Sequence, residues 1–429
     1  MSLQFITGNS GNGKTKYLFN RIVKEAKANP RDNYLVIVPE QFTMQTQRQL
    51  VDLSENKAIM NIDVLSFKRL AYRVFDELGI TNLTVLEETG KNLVLRKLAA
   101  QEADKLGVIG RNLNRIGYIS EVKSLLSELV QYNISPEELG RYIASGRLSD
   151  ALSDKLKDVL VLYEAFEKFM QDKYITAEEI LNVLCNVAEE SAILRNSVIA
   201  FDEFTGFTPI QNQLIKKLFV ISKKIYVTLT IDCREDIFKS RGMQELFDMP
   251  KRTVKSLTEM AAFYGIEVEE PIILDKNYRL AENEELSFME QQLFRKRRCS
   301  FKKVPKHIHI DCLRDPKQEL TKIARRINEL VRNENLRYRD IAIVTGDVNI
   351  YAGYVREIFD KYNIPYFIDA TQEILFHPFI EFIRSIPDIA AQNFSADAVF
   401  RFLRCGFSEL LDSEIDVLEN YVLACGVRG

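Results

Sequence analysis

Short apolar runs alternate with segments of helical periodicity over the first 85 residues. The runs "LQFIT", "YLVIVP" and "NIDVLSF" each precede a stretch in which apolar residues recur every three or four positions. This alternation of strand-length and helix-length segments predicts parallel strands joined by helices. Residues 1–85 are therefore expected to form an α/β structure.

The pattern becomes helical between residues 86 and 195. Pro136 is the only proline in this segment, and it follows Ser135 in "ISPEELGRYI". A serine N-cap followed by proline at the first helical position is typical of a helix start. Because stretches such as "KDVLVLYEAFEKFMQ" keep helical spacing, residues 86–195 are predicted to be an all-helical insertion.

Strand-like runs return after the insertion. "SVIAFDEF", "KKIYVTLTID" and "GIEVEEPIIL" would complete a first domain formed by residues 1–85 and 196–300. A second α/β region is expected over residues 301–429, with strands at "HIHIDC", "DIAIVTGD" and "IPYFID". Helices are predicted at 316–334 and 349–362.

Length and composition narrow the class of protein. The 429 residues fit two or three domains, and the net charge of −3 gives no overall field that would attract nucleic acid. Contact with DNA would have to come from local patches. The six cysteines contain no C-x-x-C pair, which argues against a disulfide framework, a zinc site or an iron–sulfur site. No signal-like or membrane-spanning run is present, so we expect a cytoplasmic chain without a membrane partner.

The sequence "GNSGNGKT" directly follows the first predicted strand. It matches G-x-x-x-x-G-K-[ST] between a strand and a helix, the P-loop pattern. Glycines let backbone N–H groups approach phosphates, the lysine reaches the β- and γ-phosphates, and the threonine hydroxyl binds Mg²⁺. The candidate nucleotide ligands are Gly8, Asn9, Ser10, Gly11, Asn12, Gly13, Lys14 and Thr15.

Two carboxylates end the apolar run "SVIAF": Asp202 and Glu203. Open α/β sheets bind their ligands at the carboxyl ends of the strands. We therefore expect Asp202 to hold Mg²⁺ together with Thr15, and Glu203 to polarise the attacking water. The predicted helical insertion accounts for their long separation from Lys14 in the sequence.

Three further segments carry a family resemblance. "LVIVPEQFTMQTQRQL" and "NIDVLSFKRLAYRVF" are similar to the DNA-contacting motifs of superfamily 1 helicases of the UvrD type, and "ILDKNYRLAENEEL" to their N-Y-R motif. "HPFIEFIRS", near residue 380, resembles the AddB (RexB) family, which supplies one subunit of bacterial ATP-dependent helicase–deoxyribonucleases. The chain looks like the N-terminal part of this family, and the resemblance covers nearly its whole length, weakest in the helical insertion.

The resemblance implies a fold, ligands and a partner. The fold would be a RecA-like P-loop NTPase domain with a helical insertion, followed by the start of a second RecA-like domain at 301–429. ATP and Mg²⁺ would be the cofactors, and an AddA-like helicase–nuclease subunit would be the heterodimeric partner. The implied catalytic residues are Lys14, Asp202, Glu203 and Arg279, with Tyr278 near adenine. The implied DNA-contacting residues are Gln41, Ser66, Arg69 and Arg73.

Two departures weaken the helicase interpretation. Thr205 and Glu235 stand where superfamily 1 helicases have glutamines that couple the γ-phosphate to domain closure. The leading hypothesis is therefore a subunit that binds ATP and DNA for double-strand-break processing, with weak or absent unwinding of its own. The family's nuclease domain is not expected in this chain. An autonomous helicase, a recognition module with a vestigial P-loop and, more remotely, a P-loop kinase stay open.

Weaker signals have competing explanations. A basic run could touch a DNA backbone or form a solvated linker: Arg295, Lys296, Arg297, Arg298, Lys302 and Lys303. His307, His309 and Cys312 could bind a metal, although the alternating isoleucines favour an ordinary strand. Phe204 and Phe207 could stack on bases, but packing in a core is the better expectation.

Overall fold

A computed structural model describes residues 1–80, 84–108, 116–145, 148–170, 174–176, 178–295, 299–369 and 374–427. The chain divides into two compact units, Met1–Ile308 and His309–Gly429. Among the described residues, the strands are β1 (Ser2–Gly8), β2 (Tyr34–Ile37), β3 (Ile62–Leu65), β4 (Val85–Leu86), β5 (Ile175–Thr176), β6 (Val198–Phe201), β7 (Lys224–Thr230), β8 (Glu267–Val268) and β9 (Ile272–Leu274).

The helices of the first unit are α1 (Lys14–Ala28), α2 (Thr43–Leu53), α3 (Phe67–Leu78), α4 (Glu88–Gln101), α5 (Ile116–Gln131), α6 (Pro136–Ala144), α7 (Asp150–Met170), α8 (Ile180–Val187), α9 (Pro209–Ile221), α10 (Asp248–Phe263) and α11 (Glu284–Gln292). Those of the second unit are α12 (Pro316–Asn333), α13 (Val348–Lys361), α14 (Pro378–Ala391), α15 (Ala396–Leu403) and α16 (Asp412–Cys425).

A parallel sheet forms the centre of the first unit. Its strand order is β3-β2-β6-β7-β1, and both β8 and β9 pair with the outer side of β1. β1 pairs with β7 along its full length, from Ser2 opposite Lys224 to Gly8 opposite Thr230. Because every pairing in this sheet is parallel, the carboxyl ends of the strands meet at one edge. The predicted α/β class is confirmed for this unit.

Helices cover both faces of the sheet, which explains why its strands are continuous apolar runs. Successive residues of β2 alternate between two cores: Leu35 belongs to one and Val36 to the other. The core that contains Val36 includes Leu18 of α1 and Leu50 of α2. The opposite core includes Leu214 of α9 and further residues of α3, α8 and α10.

The segment predicted to be an all-helical insertion is not entirely helical. Helices α4 to α7 share their own core, which includes Leu95, Val122 and Leu162. However, β4 and β5 form a two-stranded parallel pair at its base. α8 packs in the core of the large sheet through Leu184, not in the core of the other four helices. Periodicity identified the helices, but it could not show which core each one joins.

The second unit departs from its prediction. The helices expected at 316–334 and 349–362 are confirmed by α12 and α13, whose shared core includes Leu320 and Phe359. The strands expected at "HIHIDC", "DIAIVTGD" and "IPYFID" are wrong, since no residue described in these segments is in a strand. Val344 and Phe367 are 92% and 88% exposed. An apolar alternation reports a side-chain pattern, whereas a strand requires a hydrogen-bonding neighbour.

Glu77 on α3 accepts hydrogen bonds from residues 191–193, where the chain returns from the inserted helices. Its Oε1 accepts hydrogen bonds from the backbone N–H groups of Ala192 (2.8 Å) and Ile193 (3.0 Å), and its Oε2 accepts one from the Ser191 hydroxyl. The residues that it joins are more than 110 positions apart in sequence. This one carboxylate therefore links the two sequence segments that build the sheet.

We predict that Glu77→Ala lowers the free energy of unfolding by about 2 kcal/mol, because it removes the acceptor of three hydrogen bonds. Denaturant unfolding monitored by circular dichroism would measure the change. Asp76→Ala, at an exposed neighbouring position, is the matched control and should stay within about 0.5 kcal/mol of the parent. Equal losses in the two variants would contradict the proposed role of Glu77.

Candidate functional site

The loop between β1 and α1 has a backbone that favours glycine at two positions. Gly11 and Gly13 have φ angles of 91° and 79°, in the left-handed region. A Cβ at Gly11 would lie 2.7 Å from Oδ1 of Asn277, and one at Gly8 would lie 2.5 Å from the Leu274 carbonyl oxygen. The loop is therefore tightly curved and closely packed against the chain that follows β9.

The chain after β9 braces the loop through main-chain and side-chain hydrogen bonds. The N–H groups of Tyr278 and Arg279 both donate to the Gly11 carbonyl, at 3.0 and 3.4 Å. Asn277 Nδ2 donates to the Ser10 carbonyl at 3.0 Å. The predicted N-Y-R segment thus lies directly on the glycine loop and fixes its shape.

Two asparagines of the loop are used to hold it in place. Asn9 is buried; its Nδ2 donates to Glu290 Oε1 at 2.7 Å, and its Oδ1 accepts from the Cys233 N–H at 2.9 Å. Asn12 Nδ2 donates to the Leu274 carbonyl at 2.5 Å. Both side chains were candidate nucleotide ligands in the sequence. The structure places them in contact with protein, so their contribution would be to orient the backbone N–H groups of the loop.

Lys14 is folded back onto its own loop. Its Nζ donates to the carbonyl oxygens of Gly8 (3.1 Å) and Asn9 (3.0 Å). Burial lowers the pKa of Lys14, although the nearby carboxylates of Asp202 and Glu203 oppose the shift. A desolvated ammonium group whose hydrogen bonds go to neutral carbonyl oxygens is well suited to bind an anion.

The two predicted carboxylates lie in different environments. Asp202 is 1% exposed, and burial raises its pKa. Its Oδ1 accepts a hydrogen bond from the Thr228 hydroxyl, while Oδ2 is buried without a hydrogen-bond partner among the described residues. Glu203 is exposed, has a φ of 63°, and accepts a hydrogen bond from the Thr15 hydroxyl at 3.3 Å. The unpaired oxygen of Asp202 and the Thr15 hydroxyl are oxygen donors of the kind that Mg²⁺ prefers, so the residues fit this ion.

A cleft of about 700 Å³ joins these groups. Its walls include Lys14, Thr15, both carboxylates and Arg279, together with Tyr278. The volume is within the range of small-molecule and cofactor sites. Further residues that were not predicted to belong to the site also line the cleft: Gln49, Asp52, Leu53, Thr228 and Thr230. A polar residue within the otherwise apolar run "YVTLT" indicated that Thr228 could belong to a site. No sequence pattern indicated the lining residues of α2.

The candidate DNA-contacting residues lie together at the ends of β2 and β3. Gln41 is exposed on the turn Glu40–Phe42. Ser66 is buried and caps α3, accepting a hydrogen bond from the Arg69 N–H at 3.3 Å. Arg69 and Arg73 are exposed on α3, which begins at this edge of the sheet. The sequence motifs therefore form one surface, next to the carboxyl edge where the cleft opens.

The comparisons with known proteins identify the family. A family model described as ADDB, N-terminal, matches residues 5–290. The chain belongs to the AddB N-terminal family. It is 39% identical over its whole length to the B subunit of the ATP-dependent helicase/deoxyribonuclease of Lachnoclostridium phytofermentans. The resemblance stated from the sequence is confirmed.

Other relatives carry the same name. The corresponding proteins of Clostridium tetani and Caldanaerobacter subterraneus are each 34% identical to the whole chain. The chain spans 38% of the length of the Lachnoclostridium and Clostridium proteins and 37% of the Caldanaerobacter protein. In the described part of this AddB-family chain, no helix is long and apolar enough to cross a bilayer.

The two departures from the helicase motifs have distinct surroundings in this AddB-family chain. Thr205 lines the cleft, and its carbonyl oxygen accepts a hydrogen bond from the Thr253 hydroxyl at 3.1 Å. Glu235 is ion-paired with Lys251 on α10, with an Nζ–Oε2 distance of 2.7 Å. Glu235 is not among the described residues that line the cleft. The position of the second glutamine is thus occupied by a carboxylate bound to a different helix.

The weaker sequence signals are resolved in part. Phe204 and Phe207 pack against Phe67 and Phe201, which confirms the expected core role. Residues 296–298 of the basic run lie outside the described residues, whereas Arg295 is mostly buried and ion-paired with Asp232 at 3.0 Å. Among the residues that the structure describes, no three metal-ligating side chains come together, at His307, His309 and Cys312 or elsewhere.

The buried charge of Asp202 gives a prediction for stability without ligand. Burial raises the pKa of Asp202 above the ordinary value of 3.8, so the native state binds a proton more readily than the unfolded state. The free energy of unfolding therefore falls as the pH rises from about 3.8 to the raised pKa. Asp202→Asn should therefore raise the free energy of unfolding at pH 7 by at least about 1 kcal/mol, with a smaller gain near pH 4.

Denaturant unfolding at several pH values would measure this effect. Glu203→Gln is the matched control, since it also removes one carboxylate but at an exposed position, and it should change stability by no more than about 0.5 kcal/mol. A less stable Asp202→Asn protein at pH 7 would contradict the account of Asp202 as a destabilising buried charge.

Proposed function

We propose that this chain is the ATP- and DNA-binding part of a helicase–deoxyribonuclease B subunit that processes double-strand breaks for recombinational repair. Its first unit would be a RecA-like P-loop domain. One observation carries the nucleotide assignment: the glycine loop, the desolvated ammonium of Lys14 and the carboxylate of Asp202, with its unpaired oxygen, line a single cleft. The names of its relatives support a place in a helicase–deoxyribonuclease complex.

Each group would have a defined part in binding Mg·ATP. The loop N–H groups and the N-terminus of α1 would surround the phosphates, and Lys14 would exchange its two carbonyl contacts for phosphate oxygens. Thr15 and Asp202 would hold Mg²⁺, which supplies charge neutralisation of the β- and γ-phosphates. Arg279, which lines the cleft and approaches Ser10, would add a positive charge on the phosphate side.

Binding and mechanical coupling are separable in this arrangement. Glu203 lines the cleft and can orient a water molecule, so the groups for hydrolysis are present. Thr205 and Glu235 stand where superfamily 1 helicases have the two glutamines that couple the γ-phosphate to domain closure. The Glu235 side chain is ion-paired with Lys251. We therefore propose that the chain binds ATP with weak or absent unwinding of its own. An AddA-like partner in a cytoplasmic heterodimer would provide the motor.

Lys14→Ala is predicted to weaken Mg·ATP binding at least about 10-fold, because a charge-assisted contact to phosphate is worth about 1.5–3 kcal/mol. Isothermal titration calorimetry would measure the affinity. Lys24→Ala, on the exposed face of the same helix, is the control and should bind like the parent. Equal affinity of the parent and Lys14→Ala would contradict the site, and no binding at millimolar ATP would favour a vestigial P-loop.

Arg69→Ala and Arg73→Ala are each predicted to weaken binding of single-stranded DNA about 3- to 10-fold at about 0.1 M salt. Each should also lower the salt dependence of the affinity by about 0.7 in log–log slope, because one phosphate contact is lost. Fluorescence anisotropy with a labelled oligonucleotide would measure both. Arg195→Ala, exposed before β6 at the opposite edge of the sheet, should leave affinity and slope unchanged.

A further inference from the structure

Glu40 lies in the middle of the proposed DNA-contacting surface. It begins the turn Glu40–Phe42 after β2, next to Gln41 and opposite the start of α3. We propose that Glu40 occupies the place of a DNA phosphate in the free protein and thereby limits the affinity of this surface for single-stranded DNA. This inference rests on the proposed function of the surface in DNA binding.

The contacts of Glu40 are those that a phosphate would make. Its Oε1 accepts a hydrogen bond from Nε of Arg69 at 3.1 Å, and its Oε2 accepts one from the hydroxyl of Ser66. A guanidinium N–H and a hydroxyl are both common phosphate-binding donors. One carboxylate therefore engages, at the same time, two of the four residues that the helicase resemblance assigns to DNA.

The Ser66 hydroxyl cannot donate a hydrogen bond to DNA while it donates to Glu40. Its side chain is buried; its oxygen accepts from the Arg69 N–H at the start of α3, and its single O–H proton is donated to Glu40. A phosphate can receive that proton only if the Glu40 carboxylate moves away. The hydroxyl is thus a direct point of competition between the internal carboxylate and an external anion.

The ion pair is of a kind that DNA can displace. The side chains of Arg69 and Glu40 are 50% and 56% exposed, so solvent screens their attraction. A phosphate backbone brings several negative charges and releases counterions on binding, which favours the exchange. Glu40 would then stay close to the strand and repel it, which lowers the affinity without blocking binding.

A second pair on this surface differs from that of Glu40. Arg73 is also paired with a carboxylate, Asp63, but the Nε–Oδ2 distance is 3.8 Å, beyond hydrogen-bond length. The Ser66 hydroxyl donates its proton to Glu40 and not to Asp63. Both arginines are therefore electrically balanced, yet within the described part of this surface Glu40 is the carboxylate that holds two candidate contacts in hydrogen-bonded geometry.

The test compares single-stranded DNA binding by the parent chain, Glu40→Gln, Glu55→Gln and the double variant Glu40→Gln/Arg69→Gln. Glutamine keeps the size of Glu40 and can still accept from Ser66, but it removes the charge. Glu55→Gln is the matched control: Glu55 is exposed, ion-paired with Lys27, and follows α2 at the far end of that helix from Glu40. Anisotropy titrations between about 0.05 and 0.3 M salt, where counterion release changes the affinity strongly, provide both affinity and slope.

The expected result is that Glu40→Gln binds about 3- to 10-fold more tightly than the parent, with a salt slope steeper by about 0.7. Glu55→Gln should match the parent, and the double variant should lose the gain, because the freed Arg69 is what receives the phosphate. Unfolding midpoints of all four proteins would confirm that the effect is not one of folding.

The other outcomes overturn the inference in distinguishable ways. If the parent binds DNA and Glu40→Gln binds equally or less tightly, the surface binds DNA but Glu40 does not restrain it. An equal gain in Glu55→Gln would reduce the effect to net charge, and a gain that survives in the double variant would exclude Arg69. If neither the parent nor Glu40→Gln binds DNA, the proposed function of the surface fails, and the role of Glu40 fails with it.

Discussion

The parallel pairing of the central strands is the constraint on which the rest of the structure depends. A parallel strand can be connected to its neighbour only by a crossover, and a parallel sheet must be covered on both faces. The first requirement directs the loops after β1, β2, β3 and β6 to one edge of the sheet. Four residues that are far apart in sequence therefore lie near that edge: Lys14, Glu40, Ser66 and Asp202. The second requirement explains why α8 leaves the inserted helices and packs in the sheet's core.

The cleft combines a rigid frame with incompletely paired charge. The loop is held in shape by backbone and asparagine hydrogen bonds to β9, α11 and the chain after β7. Lys14 and Asp202, in contrast, are desolvated and incompletely paired, and burial shifts the pKa of each toward its neutral form. Preorganised dipoles beside desolvated charges that lack an ionic partner favour binding of a charged ligand. The cost of desolvating the charges of Lys14 and Asp202 could therefore be offset when a charged ligand binds.

Local patterns were predicted well, and non-local contacts were not. The order of strand, glycine loop and helix around residues 8–15 and the helices α12 and α13 follow from short-range spacing, which the sequence displays directly. The strands expected in the second unit were wrong because strand formation depends on a neighbour that no local pattern can specify. For the same reason, the sequence did not predict the pairing of Arg69 with Glu40, which are 29 positions apart. It also did not predict that residues of α2 line the cleft. Asn9 and Asn12 were predicted as loop residues, but their side-chain hydrogen bonds go to residues more than 200 positions away, which no local pattern shows.

The substitution at Glu235 has an electrostatic logic that connects these observations. A glutamine beside a γ-phosphate can donate a hydrogen bond to it, whereas a carboxylate at the same place would repel it. Glu235 is not among the described residues that line the cleft; it is paired with the buried ammonium of Lys251, which also contacts Glu245. Glu235→Gln alone would remove one of the two carboxylates paired with the buried Lys251, so it is expected to be destabilising. The proposed loss of the γ-phosphate sensor would therefore be coupled to the ion pairs of Lys251 on α10.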